Sequence, residues 1–156
     1  PGRNPEKTEE EIEAEFARLL GARKTIWLDR GLSRDNEEFG TRGHVDIVAC
    51  FARPGVVLYH DQQDPRHPDH AISQAGRARF EQSTDAQGRS LELIAVPAPR
   101  VLRDAEGWVD YSYINHLVTN GGVVACSFDD PNDQQAAGIY CISQQLPEAT
   151  REQAGS

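Results

Sequence analysis

No apolar run in the 156 residues approaches the ~20 that a membrane-spanning helix needs. The amino-terminal stretch does not read as a secretory signal either. Cysteine is scarce: three, at 50, 126 and 141, an odd count at spacings unlike a disulfide framework. A reducing, cytoplasmic setting is the expectation that follows. Basic residues are outnumbered, 16 Lys and Arg against 25 Asp and Glu, for a net charge of −9. That argues against a nucleic-acid binder and is permissive for a small cationic partner. A Walker loop, a dinucleotide fingerprint and a G-x-S-x-G elbow are all missing, and no repeat recurs at a fixed period.

What is there has the balance of a soluble globular chain, 38% hydrophobic and 26% charged, with the length of about one domain. Residues 1–147 read as one unit and 148–156 as a frayed tail. Thr8-Glu9-Glu10-Glu11 predicts a capping box. Ile12, Phe16, Leu19 and Leu20 then predict one buried stripe, closed by Gly21. Lys24 to Leu28 reads as a short strand, followed by a polar loop to Gly43. A strand from His44 to about Ala52 and another over Val56 to Tyr59 flank Arg53-Pro54-Gly55 as a hairpin. Residues 60–69 read as a loop and 69–81 as a helix capped by Asp69, with Leu91 to Val96 a strand beyond it. Tyr111 to Val118 and Val123 to Phe128 read as strands around Asn120-Gly121-Gly122. Residues 129–137 read as loop with at most a short helix, and Tyr140 to Ser143 as a short strand. The ββαβ order suggests repeated α/β units rather than one doubly wound sheet.

The stretch Gly40-Thr41-Arg42-Gly43-His44-Val45-Asp46 holds the sharpest chemistry. On a strand, residues two apart share a face, so His44 and Asp46 are expected side by side. One moves protons near neutral pH and the other is a fixed anion, a pairing suited to a cationic substrate. Cys141 is the candidate nucleophile, since thiolate attacks resonance-stabilised carbon well; a packing role is the plainer reading of its spacing. Cys50 and Cys126 read as packing residues inside apolar strands. His60, Asp61, Asp64, His67, Asp69 and His70 could be drawn as a metal site, but a solvated, proline-containing loop fits their spacing better. Trp108 and Tyr111 to Tyr113 read as core or interface aromatics.

A series of motifs, in order, resembles the agmatine deiminase family of the peptidylarginine-deiminase-like, guanidino-modifying superfamily. They are Thr25-Ile26-Trp27-Leu28, Gly40 to Asp46, Ala52-Arg53-Pro54-Gly55, Ser112-Tyr113-Ile114-Asn115, Asn120-Gly121-Gly122, Asp130-Pro131-Asn132-Asp133 and Cys141-Ile142-Ser143-Gln144-Gln145. The resemblance spans nearly the whole chain and implies the carboxyl-terminal part of such an enzyme. It implies an α/β fold, a partial pentein: a propeller of ββαβ units, here without its amino-terminal ones. It also implies that Asp46 binds the guanidinium, that His44 shuttles protons and that Cys141 attacks the guanidinium carbon, with no cofactor. The implied partner is a small cationic guanidine such as agmatine, with no nucleic acid and no membrane. Exposed strand edges favour a homo-oligomer.

Two departures from the family pattern bear on activity. The amino-terminal units carry a further acidic group used on the guanidinium. Ala137 also runs straight into Gly138 where the family has another unit, and Tyr140 stands where the family has histidine. The alternatives are a deiminase of free or peptidyl arginine, for which Arg42 and Arg53 are available, and an inactive module with a binding or assembly role.

Overall fold

The computed structural model describes residues 4–38 and 40–143. Its first helix, α1 (Glu9–Leu20), begins as the capping box predicts. The Glu11 amide donates to the Thr8 hydroxyl at 3.3 Å, the Thr8 amide donates to the Glu11 carboxylate at 2.9 Å, and Gly21 ends the helix at φ 67°. The expected burial does not follow. Ile12 and Phe16 are half-buried, while Leu19 and Leu20 are 64% and 75% exposed. Spacing gives a helix an apolar face, but burial depends on what packs there, and among the described residues no other element packs extensively on α1.

Residues 24–28 form no strand. A strand needs a neighbour for its amides and carbonyls, and here Ile26 and Leu28 act as packing residues, set against buried clusters around Val57 and Leu32.

The expected hairpin is present. Strand β1 (Ala49–Arg53) runs antiparallel to β2 (Val56–Asp61), with Cys50 opposite Leu58 and Gly55 turning at φ 82°. Helix α2 (Asp69–Glu81) follows, and β3 (Glu92–Pro97) returns parallel to β2. The result is a ββαβ unit with sheet order β1-β2-β3. Strand β2 is buried from Val56 to His60. Alternate residues face opposite ways: Val57 and Tyr59 meet Phe80 of α2, while Leu58 joins Tyr113, Ile114, Ala136 and Tyr140. An unbroken apolar run suits a strand covered on both faces.

Two small hairpins follow. Strands β4 (Arg103–Asp104) and β5 (Gly107–Trp108) pair antiparallel, ahead of the stretch where the next strand is expected. Strands β6 (His116–Thr119) and β7 (Gly122–Ala125) turn at Asn120-Gly121 but are shorter than the sequence suggests. Ser112, Tyr113 and Ile114 are buried ahead of the ladder, and the Ser112 hydroxyl donates to the Ile47 carbonyl at 2.7 Å.

Helix α3 (Asp133–Ser143) replaces both the loop expected to Ala137 and the strand expected over 140–143. Gln134-Gln135-Ala136-Ala137 favours helix, Asp133 suits its first turn, and the helix runs on through Gly138 so that Ala136 and Tyr140, four apart, enter one core. The α/β class and the ββαβ order hold. Among the described residues the three sheets are separate and open, with one complete ββαβ unit. The tail expected from Glu148 lies outside the described residues.

Candidate functional site

The loop carrying His44 and Asp46 is not the start of a strand. Arg42 and Gly43 sit at φ 63° and 112°, and the Val48 and Ala49 amides both donate to the Val45 carbonyl at 2.9 Å. Strand β1 begins only after that turn, so the two side chains are presented by a loop rather than by one strand face.

The physical reason is Asp35. It lies in a 3-10 turn (Arg34–Asn36) and is 5% exposed. Its carboxylate accepts the Thr41 amide at 3.0 Å, the Thr41 hydroxyl at 2.6 Å, the Gly43 amide at 2.8 Å and the His44 amide at 2.7 Å. Amides directed at Asp35 are not free to join a ladder. Burial alone would push the Asp35 carboxyl up; the donors from Thr41, His44 and Gly43 outweigh it and bring it down to about 2.

Further ties hold the loop. The Ser33 amide donates to Asp69 Oδ1 at 2.7 Å, and Asn115 Nδ2 donates to Asp46 Oδ2 at 3.0 Å. Asp69 is thus not the expected helix cap. It is the buried first residue of α2, its carboxylate is given to Ser33, and Pro68 stands at the cap position. Asp46 is exposed, and the His44 side chain is 43% exposed with Nδ1 3.9 Å from Asp35 Oδ1. Both groups are open to a solute.

Cys141 stands in the last turn of α3, half-buried. That helix is anchored by the Tyr140 hydroxyl, which donates to the Tyr113 carbonyl, and by the Tyr140 ring, 4.5 Å from that of His116. Among the described residues, no hydrogen bond or ion pair joins Cys141 to His44 or Asp46. One loop therefore carries both the imidazole and the carboxylate, with Asp46 outside ion-pair range of the His44 ring, while the thiol comes from a separate element. Cys50 is half-buried and burial pushes its thiol up to about 11. Cys126 is exposed just past β7, not packed inside a strand, because β7 ends one residue earlier.

The 60–70 segment departs most from expectation. It is not a solvated loop: His60, Gln62, His67 and Asp69 are all buried. The Gln62 amide donates to Ser73 at 3.0 Å, His70 Nδ1 donates to the Gln62 carbonyl at 2.7 Å, and the Asp69 amide donates to His67 Nδ1 at 3.1 Å. The His67 ring packs on Trp108 at 4.9 Å. Among the described residues no three His, Cys, Asp or Glu side chains converge as metal ligands, and no helix is long and apolar enough to cross a membrane. Asp35 and Asn115 are the residues tied to this loop that sequence reasoning missed. Asn115 lies in a quoted motif, whereas nothing in the spacing of Asp35 signals its role.

Fold and loop together define a mixed α/β chain built on a ββαβ unit, displaying an imidazole and a carboxylate from one stapled loop. The chain belongs to the Porphyromonas-type peptidyl-arginine deiminase family, whose model matches residues 1–150. A Streptomyces coelicolor protein named "Putative agmatine deiminase" is 59% identical over 140 residues, covering 89% of this chain and 41% of that protein. The agmatine deiminase of Pseudomonas fluorescens SBW25 is 39% identical over 155 residues, covering 88% and 41%. The solved agmatine deiminase of Enterococcus faecalis superposes with a TM-score of 0.80 at 31% identity, covering 91% of this chain and 42% of that one. The chain thus spans about two fifths of the length of these relatives.

Proposed function

We infer that this chain carries the guanidinium-processing groups of an agmatine deiminase-like hydrolase. The observation behind this reading is the loop that leaves His44 and Asp46 open to solvent while Asn115 holds one Asp46 oxygen. A planar cation meets a carboxylate best through paired N–H donors. Asp46 would take those N–H groups, and the Cys141 sulfur would bond the guanidinium carbon as its S–H proton passes to His44. The C–N bond to the terminal nitrogen then breaks, and that nitrogen takes a proton from His44 and leaves as ammonia. Water adds to the thiouronium carbon, His44 takes its proton, and the C–S bond breaks to restore the thiol. With agmatine the product is N-carbamoylputrescine, and no cofactor is consumed.

The test is incubation of the chain with agmatine, with ammonia and ureido product measured and the protein mass followed. Ammonia release lost in Cys141→Ala, with an adduct mapped to Cys141, supports the reading. Release that survives that substitution overturns it.

A second reading has its own observation: Cys141 sits within α3, with no hydrogen bond or ion pair to His44 or Asp46 among the described residues. In that case the chain binds a guanidine without hydrolysing it. Saturable agmatine binding that is lost in Asp46→Asn, with no ammonia from wild type, decides for it.

A further inference from the structure

Asp35 lies upstream of the loop and is buried, yet every oxygen it has is used on that loop. Oδ2 accepts the amides of Gly43 and His44, at 2.8 and 2.7 Å, and Oδ1 accepts the amide and hydroxyl of Thr41. Oδ1 is also 3.9 Å from His44 Nδ1, the only carboxylate within ion-pair range of that ring among the described residues. Arg42 and Asp46 flank the histidine along the chain. Ser33, two residues before Asp35, donates its amide to the buried Asp69 and so ties that turn to α2. The carboxylate is therefore fixed before any ligand arrives.

We propose that Asp35 is a positioning residue for His44: it fixes the backbone from which the imidazole projects and keeps the ring proton on Nδ1, leaving Nε2 as the nitrogen that exchanges protons with substrate and water. The role rests on the reading of His44 as the proton shuttle. A separation of 3.9 Å is too long for a hydrogen bond, so the carboxylate acts on the ring across it as a charge. Such contacts commonly tighten only once substrate is bound. A neutral histidine carries one ring proton, and a carboxylate facing one nitrogen selects which. A merely structural aspartate would hold the loop and leave the ring tautomer indifferent.

The experiment is nitrogen-15 NMR of the histidine rings in the whole chain above neutral pH, which requires no turnover. In wild type the His44 Nδ1–H form should exceed Nε2–H by roughly fivefold, opposite to the Nε2–H preference of a free histidine side chain. Asp35→Asn should bring the ratio to about one or below, with the rings of His60, His67, His70 and His116 unchanged. An Nε2–H majority at His44 in wild type overturns the proposal without any variant, so loss of folding in Asp35→Asn cannot shelter it. A ratio unmoved in a folded Asp35→Asn overturns it as well. Failure of the underlying reading looks different: His44→Ala would leave guanidine hydrolysis intact while the wild-type tautomer stays as stated.

Discussion

Asn115 Nδ2 donates to Asp46 Oδ2 at 3.0 Å, joining residues 69 apart in sequence at the surface of the loop. The bond occupies one oxygen of an exposed carboxylate. Asn115→Ala frees the carboxylate to rotate. A hydrogen bond to a charged group at an exposed site is worth about 1 kcal/mol, so agmatine should bind roughly fivefold more weakly. Asn115→Asp should be worse, because it sets a like charge beside Asp46. Isothermal titration checks both, and a thermal melt should show little change, since both side chains are exposed.

Asp35→Ala has a different signature. It leaves three amides and the Thr41 hydroxyl without their acceptor at a buried position. The expected cost is about 2–4 kcal/mol in urea unfolding. The pH dependence follows from the depressed carboxyl. The staple is fully present above the ordinary aspartate range near 3.9 and is lost as pH falls through about 2. Amide exchange at Gly43 and His44 should accordingly remain protected at pH 5 and open as pH falls through about 2, relative to the exchange rate expected at each pH. Equal protection at both would sink the account.

Much of the fold was legible because its determinants are local. The capping box of α1, the β1–β2 hairpin and the limits of α2 each follow from residues within a few positions of one another. The loop around His44 was not, because its strand-like pattern is overridden by Asp35 from nine positions away. The strand expected at Tyr140 failed similarly: β-branched and aromatic neighbours suggested extension, while Ala136 and Tyr140, four apart, needed one helical face to reach the core. His60 and Asp69 looked like solvated loop residues, since nothing local announces that Ser73 and Ser33 will be bonded to that segment. For the site, the residue types were legible and the residues that hold them in place were largely not.

Leu58 tests the core. It is 0% exposed at the centre of the middle strand, in the cluster that includes Tyr113 and Tyr140. Leu58→Ala should cost about 3 kcal/mol, since strands on either side prevent collapse of the cavity. Leu19→Ala, at a position 64% exposed, should cost well under 1 kcal/mol in the same unfolding measurement. Similar costs at the two positions would contradict the burial described for α1 and β2.

His60 makes stability depend on pH in the opposite region from Asp35. Its side chain is 4% exposed on the last buried position of β2. Desolvation first, and the nearby His67 second, bring its pKa down to about 4. Unfolded, the same ring titrates near 6.5. Between these values the unfolded chain binds a proton that the folded chain refuses, so stability falls as pH drops from about 6.5 toward 4 and then levels off. The loss attributable to this group is on the order of 3 kcal/mol. Urea midpoints at pH 7 and pH 4.5 should differ in wild type, and the difference should shrink in His60→Gln, which keeps a polar side chain of similar size without a titrating ring. An undiminished difference in the variant would assign the pH dependence to other groups and leave His60 a packing residue only.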